Sequence, residues 1–286
     1  YMFHYVTENF NYFHFDKNKF EEAIKQLSFT KKIINLKKLK EMQNKKREIN
    51  DNYVMLTFDD GTIDHYKYVY PILKKYNVTG LFFICSNLIN RDILDIQFIH
   101  QLMSKVALDE IYSKLQKYLS ENGIAIEKNS IVDNRLENWK EIYIKQLIQT
   151  ILPQKHSKKL LRDLIKRYNI STNFNDYYMS IDNMLEMKEG GMEFGCHTST
   201  HKRLSSLNEE KQYQEIRENM QLLYRYNLLT QQDILSLAYP FGNYNNSTIE
   251  ILNNLKFDFA FSTKEEEIYE INKYELPRFD CNRLKE

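Results

Sequence analysis

Two adjacent carboxylates, Asp59 and Asp60, follow the largely apolar run 53–58 and precede Gly61. Neighbouring strand side chains point to opposite faces, so an acidic pair placed only for hydration would more naturally lie in a loop. At the end of a strand the two acids can divide their work. One can bind a metal ion while the other accepts a proton from water. This position therefore predicts a candidate metal-dependent site.

Two histidines, His197 and His201, lie four residues apart just after the short predicted strand 192–195. If the chain begins to wind there, both imidazoles lie on one face and can bind one ion. Such a spacing is often incidental when it stands alone. In a parallel α/β fold, however, the carboxyl ends of all strands gather at one rim, which would bring this pair to the acidic pair.

A third segment, Tyr-Pro-Phe-Gly at 239–242, follows another predicted strand. A tight turn there could present backbone N–H groups to a developing oxyanion, although an ordinary strand-to-helix turn would also suit this sequence. Cys196, beside His197, is a further potential metal ligand. Strand alternation predicts that its thiol points away from the site.

The elements that must position these residues alternate between short apolar runs and helical patterns, as in parallel βαβ units of a barrel or a doubly wound sheet. The predicted strands are 54–58, 79–85, 192–195, 234–238 and 257–262. The predicted helices between them are 64–76, 207–226 and 246–255. The second of these helices is expected to bury one face, made of Tyr213, Ile216, Met220 and Leu223.

The region from about Ile96 to Met187 interrupts this alternation. Apolar residues recur at helical spacing in three segments, and no strand pattern separates them. We therefore predict a helical insertion within a single domain of residues 1–286. Because an insertion that follows a strand end emerges on the catalytic face of a barrel, we expect it to lie beside the site and to restrict which substrate enters.

Composition narrows the class of protein. Lys plus Arg number 40 and Asp plus Glu number 39, so the formal charge of +1 gives no general attraction to nucleic acid or anionic membrane. No run approaches the roughly 20 apolar residues that span a bilayer, and no secretory leader is visible. The three cysteines include Cys85 in an apolar run, so no disulfide framework is expected. These features favour a cytoplasmic over an exported protein.

The three motifs occur in a fixed order: TFDDG at 57–61, HTSTH at 197–201 and YPFG at 239–242. Together they resemble the polysaccharide deacetylases, the NodB-like enzymes of carbohydrate esterase family 4, which remove N- or O-acetyl groups from sugars. The resemblance covers residues 53–91 and 188–263. It implies an α/β fold, a distorted (β/α)7 barrel.

The resemblance also implies roles for individual residues. Asp59 would be the general base, and the N–H of Phe241 would help to hold the oxyanion. One divalent ion would be bound by Asp60, His197 and His201. Zinc is the first expectation, while cobalt, nickel and manganese also suit two histidines and one aspartate.

Two positions depart from the family pattern. Ala238 stands where the family often has arginine, and no histidine follows His201 to act as the general acid. A circularly permuted subgroup, resembling poly-N-acetylglucosamine deacetylases of biofilm export, carries the acid's strand first. That resemblance implies that MFHYV at 2–6 is the displaced strand, with His4 as the acid, and that Arg278 orients Asp59. His4 could instead be an ordinary edge-strand residue.

The function implied is removal of acetyl groups, chiefly N-acetyl, from a surface polysaccharide or its oligosaccharide precursor in a bacterial cell-envelope pathway. The partner would be an N-acetylated glycan. An amidohydrolase of the same fold, acting on a small amide or imide, is the alternative. An inactive sugar-binding member is disfavoured, because the two acids and two histidines are all present. Oligomeric state stays open.

Aromatic residues make up 14% of the chain. Tyr12, Tyr239 and Tyr244 lie near the motifs and could stack against sugar rings or fill a core. The remaining histidines, at 14, 65, 100 and 156, lie outside the motifs and are expected at the surface or in packing.

Overall fold

The computed structural model describes residues 1–8, 14–45, 52–126, 138–268 and 270–285. Two compact units divide the chain. The described residues of the barrel unit fall within 1–8, 14–92 and 174–285, and those of the helical unit fall within 93–173. No helix among the described residues is long and apolar enough to cross a bilayer.

The first part of the barrel unit contains β1 (Met2–Phe3), β2 (Tyr5–Thr7), β3 (His14–Asp16), α1 (Lys17–Thr30), β4 (Lys32–Ile33), α2 (Leu36–Asn44), β5 (Tyr53–Val54), β6 (Thr57–Phe58), α3 (Tyr70–Lys75), β7 (Leu81–Ile84) and α4 (Asn87–Asn90). The helical unit contains α5 (Asp95–Lys105), α6 (Leu108–Glu121), α7 (Trp139–Gln146) and α8 (Gln154–Arg167). The second part of the barrel unit contains α9 (Ile181–Glu189), β8 (Glu193–Cys196), α10 (Glu209–Arg225), β9 (Ser236–Ala238), α11 (Asn246–Asn254) and β10 (Phe259–Phe261).

Six strands form one sheet in the order β1-β6-β7-β8-β9-β10, and every pairing in it is parallel. The segment 276–280 joins the two edges, because Leu276 pairs with Phe261 of β10 and Asp280 pairs with Met2 of β1. The Met2 N–H donates to the Phe279 carbonyl at 2.8 Å. These pairings confirm the predicted distorted α/β barrel and its permuted strand order.

The predicted first strand, 54–58, is two strands. Tyr53–Val54 pairs with β4 outside the main sheet, and only Thr57–Phe58 belongs to the barrel. The predicted strand around His4 is interrupted in the same way. β1 lies in the barrel, β2 pairs with β3, and His4 lies between them.

A ladder of aromatic rings fixes the register of the barrel strands that precede the candidate site. Phe3, Phe58, Phe82 and Phe194 are paired across β1, β6, β7 and β8. The first three rings are stacked, with centroids 5.2 and 4.7 Å apart. Phe20 of α1 packs edge-on against the ring of Phe3 at 5.2 Å, so the ladder faces the surrounding helices. Side chains one residue later therefore point into the barrel.

The helical unit has an apolar core of its own, to which α5, α6, α7 and α8 all contribute buried residues. The predicted insertion, about 96–187, covers this unit and also residues 174–187, which belong to the barrel unit. Its expected place beside the site stays a prediction.

Arg91 connects the two points of the barrel unit at which the chain leaves for the helical unit and returns from it. Its guanidinium lies over the ring of Phe174 at 4.8 Å, and its Nη2 donates to the Asn175 side chain at 3.2 Å. Arg91 itself has a left-handed backbone, with φ of 58°.

Glu193 at the start of β8 accepts the N–H of Leu36 at 2.9 Å and so occupies the N-terminus of α2. Burial raises the pKa of the Glu193 carboxyl to about 7, although the Leu36 N–H acts to lower it. Between about pH 4.5 and 7 the unfolded chain releases this proton while the folded chain retains it. The free energy of unfolding should therefore fall as pH rises through that window.

We predict that Glu193→Gln removes this part of the pH dependence, because an amide oxygen still accepts the Leu36 N–H and carries no charge. Urea unfolding at pH 5 and pH 8 measures it. The Gln variant should gain stability relative to the unsubstituted chain at pH 8 and lose that advantage at pH 5. The exposed Glu22→Gln is the control. Equal pH dependence in the unsubstituted chain and Glu193→Gln would contradict the prediction.

Candidate active site

Asp59 and Asp60 follow β6 and are each only 2% exposed. The Asp59 N–H donates to the carbonyl of Phe3 at 2.9 Å, which extends the pairing of β6 with β1. Asp60 then turns into the left-handed region with φ of 74°. That conformation is costly for a residue with a side chain, and it sends the second carboxylate in a different direction from the first.

Arg278 holds the first carboxylate. Its Nη1 and Nη2 donate to the two oxygens of Asp59 at 2.7 and 2.8 Å. Two further donors are also occupied, because Nε donates to the Ser262 carbonyl at 2.9 Å and Nη1 to Thr57 Oγ1 at 3.2 Å. Burial acts to raise the pKa of Asp59, but Arg278, with His197, outweighs it and holds that pKa below its ordinary value. Asp59 is therefore an ionised, oriented carboxylate.

The second carboxylate faces both motif histidines. Asp60 Oδ1 lies 3.4 Å from Nε2 of His197 and 3.4 Å from Nε2 of His201. Ligand atoms of these three buried residues all lie within 4.8 Å of one another. Asp60 Oδ1 is buried and has no hydrogen-bond partner among the described residues, so a buried anionic oxygen is left without a donor. Burial acts to raise the pKa of Asp60, but His201 and His197 hold it far below its ordinary value.

His197 is fixed through its other ring nitrogen. Nδ1 lies 2.8 Å from the carbonyl of Ala238 at the end of β9. A carbonyl can only accept, so Nδ1 carries the hydrogen and Nε2 presents its lone pair to Asp60 when the ring is neutral. Burial lowers the pKa of His197, but Asp60 and Asp59 outweigh it and raise that pKa above its ordinary value. Burial lowers the pKa of His201 to about 4.

His4 lies near the first carboxylate, with Nε2 4.0 Å from Asp59 Oδ2 and 36% of its side chain exposed. Its backbone carbonyl lies 2.9 Å from Nε2 of His65 and accepts from Thr62 Oγ1 at 3.3 Å. His65 is fully buried, and burial lowers its pKa to about 4. It is therefore a neutral packing residue that donates to the backbone of His4.

The turn after β9 places Phe241 in the left-handed region, with φ of 59°. The two hydrogen bonds of this turn are donated by Gly242, to the Tyr239 carbonyl, and by Asn243, to the Pro240 carbonyl. Neither uses the Phe241 N–H. The Phe241 ring contacts the His201 ring at 4.8 Å, which joins this turn to the second histidine.

Other candidate residues lie outside this arrangement. Cys196 is buried but does not belong to the group of described residues that could share an ion. Burial raises the pKa of its thiol, which disfavours the thiolate that a metal needs. Tyr239 is fully buried and donates to the Tyr274 carbonyl at 2.9 Å, so it fills the core and cannot stack against a sugar. Tyr12 lies outside the described residues.

A family model described as polysaccharide deacetylase matches residues 46–152 and 153–260, a span that includes the helical segment. No curated protein sequence matches the chain.

Several solved structures share the fold. A deacetylase from Streptococcus pyogenes, PplD, in complex with acetate, is 19% identical over 97% of this chain and 88% of that chain, with a TM-score of 0.58. IcaB from Ammonifex degensii is 15% identical over 99% and 92% of the chains, with a TM-score of 0.61. A de-N-acetylase from Aggregatibacter actinomycetemcomitans is 15% identical over 97% and 92%, with a TM-score of 0.58.

We predict that Arg278→Met lowers the free energy of unfolding by about 3–5 kcal/mol, because it leaves the Asp59 carboxylate buried without its partner. Denaturant unfolding of the metal-free chain measures this. The double variant with Asp59→Asn should recover part of the loss, since it also removes the buried charge. If the losses in the free energy of unfolding of the two single variants simply added up in the double variant, the two residues would not act as a pair.

Proposed function

The chain belongs to the polysaccharide deacetylase family, and we propose that it removes acetyl groups, chiefly N-acetyl, from a sugar of a surface polysaccharide or its oligosaccharide precursor. One observation carries the proposal. Asp60, His197 and His201 converge on a single buried point, beside a second carboxylate, Asp59, that is ionised and held by an arginine. One acid that binds an ion and a second acid that accepts a proton can together perform metal-assisted hydrolysis.

The residues fit a divalent ion. Asp60 Oδ1 is a buried oxygen without a donor, and two imidazole nitrogens face it at 3.4 Å, beyond ordinary hydrogen-bond length. Two nitrogen ligands and one oxygen ligand suit zinc, and also cobalt, nickel or manganese. When bound, such an ion polarises an acyl carbonyl and lowers the pKa of a water molecule.

The chain's own residues supply the remaining steps. Asp59 accepts a proton from the attacking water, whose oxygen forms a bond to the acetyl carbon. The Phe241 N–H donates to the carbonyl oxygen as negative charge develops there. His4 gives a proton to the leaving nitrogen as the carbon–nitrogen bond breaks. The products are acetate and a free amine on the sugar.

The place of His4 favours an N-acetyl over an O-acetyl substrate. Without a proton donor an N-acetyl group would have to expel an amide anion, which is a far poorer leaving group than the alkoxide expelled from an O-acetyl group. With 36% of its side chain exposed, His4 lies at the open side of the site, where a leaving group could reach it. Its Nε2 is 4.0 Å from Asp59 Oδ2, so base and acid are neighbours.

We predict that the purified, zinc-loaded or cobalt-loaded chain releases acetate and an equal amount of amine from an N-acetylated oligosaccharide. A small cyclic amide or imide should not be hydrolysed. Asp60→Asn should lose both bound metal and activity, because it removes a ligand charge. Asp59→Asn should keep the metal and lose about 10² to 10⁴ in rate, because an amide cannot accept the proton.

Elemental analysis before and after chelation accompanies the assay and should find one divalent ion per chain. Full activity after exhaustive chelation, with no metal detected, would end the proposal. Hydrolysis of the cyclic amide alone would favour the amidohydrolase alternative. Equal metal loss in Asp59→Asn and Asp60→Asn would show that the two acids do not divide their work.

His4→Ala should slow deacetylation of the N-acetyl substrate by about 10² to 10⁴. The same variant should lose far less activity on an activated ester, since that leaving group needs no proton. Parallel rate measurements on both substrates, with metal content checked in each preparation, decide the matter. An equal loss on both would show that His4 has a structural role.

A further inference from the structure

Helix α10 turns buried polar side chains toward the loop that carries the two motif histidines. Glu215 is 8% exposed and Asn219 is fully buried, and the two lie one helical turn apart on the buried face of the helix. We propose that Glu215 and Asn219 are positioning residues that set the geometry of His197 and His201 for metal binding. The inference rests on the metal site of the proposed function.

Asn219 contacts the first histidine and the neighbouring strand. Its Oδ1 accepts the backbone N–H of His197 at 2.9 Å. Its Nδ2 donates to the Ile84 carbonyl and to Ser86 Oγ, each at 3.0 Å. One side chain thus connects the carboxyl ends of β7 and β8. The His197 N–H also donates to the Ile84 carbonyl at 3.1 Å, so Asn219 reinforces the strand pairing that positions the His197 backbone.

Glu215 contacts the residues between the histidines. Its Oε2 accepts the backbone N–H of Thr200 at 2.8 Å, and its Oε1 accepts the Thr200 hydroxyl. Its backbone carbonyl accepts the N–H of Ser199 at 3.0 Å. The residue that directly precedes His201 is therefore held at both its backbone and its side chain.

The loop needs such support because its backbone is strained. Thr198 and His201 both lie in the left-handed region, with φ of 64° and 53°. This region costs a residue with a side chain roughly 1–2 kcal/mol, and such conformations persist only where the surroundings fix them. Four hydrogen bonds from α10 hold this loop, three to Glu215 and one to Asn219. Without them, the imidazoles could relax away from Asp60.

A purely structural role would predict a different pattern, and α10 offers a matched control. Gln212 lies on the same face and is 1% exposed. It donates to the Leu207 carbonyl at 3.0 Å and accepts from the Thr248 hydroxyl at 2.6 Å, and neither partner is in the histidine loop. Loss of Gln212 should therefore cost stability without moving the histidines.

The test compares Glu215→Leu, Asn219→Leu and Gln212→Leu in the full chain. Zn²⁺ affinity is measured by competition with a chelator, and the visible absorption of bound Co²⁺ reports ligand geometry. Denaturant unfolding of each metal-free variant reports stability. We expect the first two variants to bind Zn²⁺ about 10–100-fold more weakly, as supporting residues of metal ligands do, with an altered Co²⁺ spectrum. Gln212→Leu should keep the original affinity and spectrum.

Glu215→Gln is the conservative variant. Its amide oxygen can still accept the Thr200 N–H while its NH₂ group donates to the Thr200 hydroxyl, so metal affinity should return close to the original value. If the leucine variants do not fold, Zn²⁺ affinity and the Co²⁺ spectrum are measured in Thr200→Val instead. Thr200 is at the surface, and the change removes only the hydroxyl bond to Glu215. This variant should also weaken Zn²⁺ binding.

Unchanged Zn²⁺ affinity and an unchanged Co²⁺ spectrum in Glu215→Leu and Asn219→Leu, or in Thr200→Val should those fail to fold, would overturn the inference. So would an equal loss of affinity in Gln212→Leu, which would show that general destabilisation is the cause. A chain that binds metal with the expected pattern but deacetylates no glycan would overturn the proposed function and leave the positioning role intact. A chain that binds no divalent ion would overturn both.

Discussion

Burial of two adjacent carboxylates is the constraint on which the barrel unit depends. A buried anion is costly unless a cation or several donors face it. Asp59 meets this requirement with a bidentate arginine at 2.7 and 2.8 Å. Asp60 meets two imidazole nitrogens at 3.4 Å and makes no hydrogen bond at Oδ1 to any described residue. The two adjacent acids thus face partners of different chemistry, and the left-handed backbone of Asp60 lets their side chains point in different directions.

The partner of the first acid comes from the far end of the chain. Arg278 lies in the segment 276–280, which also pairs with β1 and β10 and so closes the barrel. The same segment therefore closes the sheet and orients Asp59. His4 reaches the same carboxylate from the opposite terminus, immediately after β1. The permuted strand order brings both ends of the chain to one acid.

Patterns of residue type predicted most of this arrangement. Alternating apolar runs and helices indicated a parallel fold, and that fold requires residues at different strand ends to meet at one rim. The structure does bring Asp59, Asp60, His197 and His201 together. The orientation of each side chain did not follow from sequence, because the left-handed backbone at Asp60 and His201 depends on tertiary contacts.

Helix α10 shows where periodicity was misleading. Its predicted apolar face included Tyr213, which is 38% exposed. The buried face is Gln212, Glu215, Ile216, Asn219 and Leu223. Counting only apolar residues misplaced the buried face of the helix. Polar side chains can be buried where they have backbone hydrogen-bond partners, and those partners lie in a distant loop. The sequence does show that polar residues, Gln212, Glu215 and Asn219, lie on the same helical face as Ile216 and Leu223.

The Arg91 contacts have a consequence for how this protein could diversify. Arg91 holds Phe174 and Asn175 close to the point where the chain leaves the barrel unit, so exit and return are adjacent. The sheet therefore does not constrain the length of the chain segment between these two points, since a loop's closure entropy grows only slowly with its length. Over evolutionary time, or in the laboratory, the helical unit could be shortened, exchanged or replaced by a few linking residues while β7 and β8 keep their register.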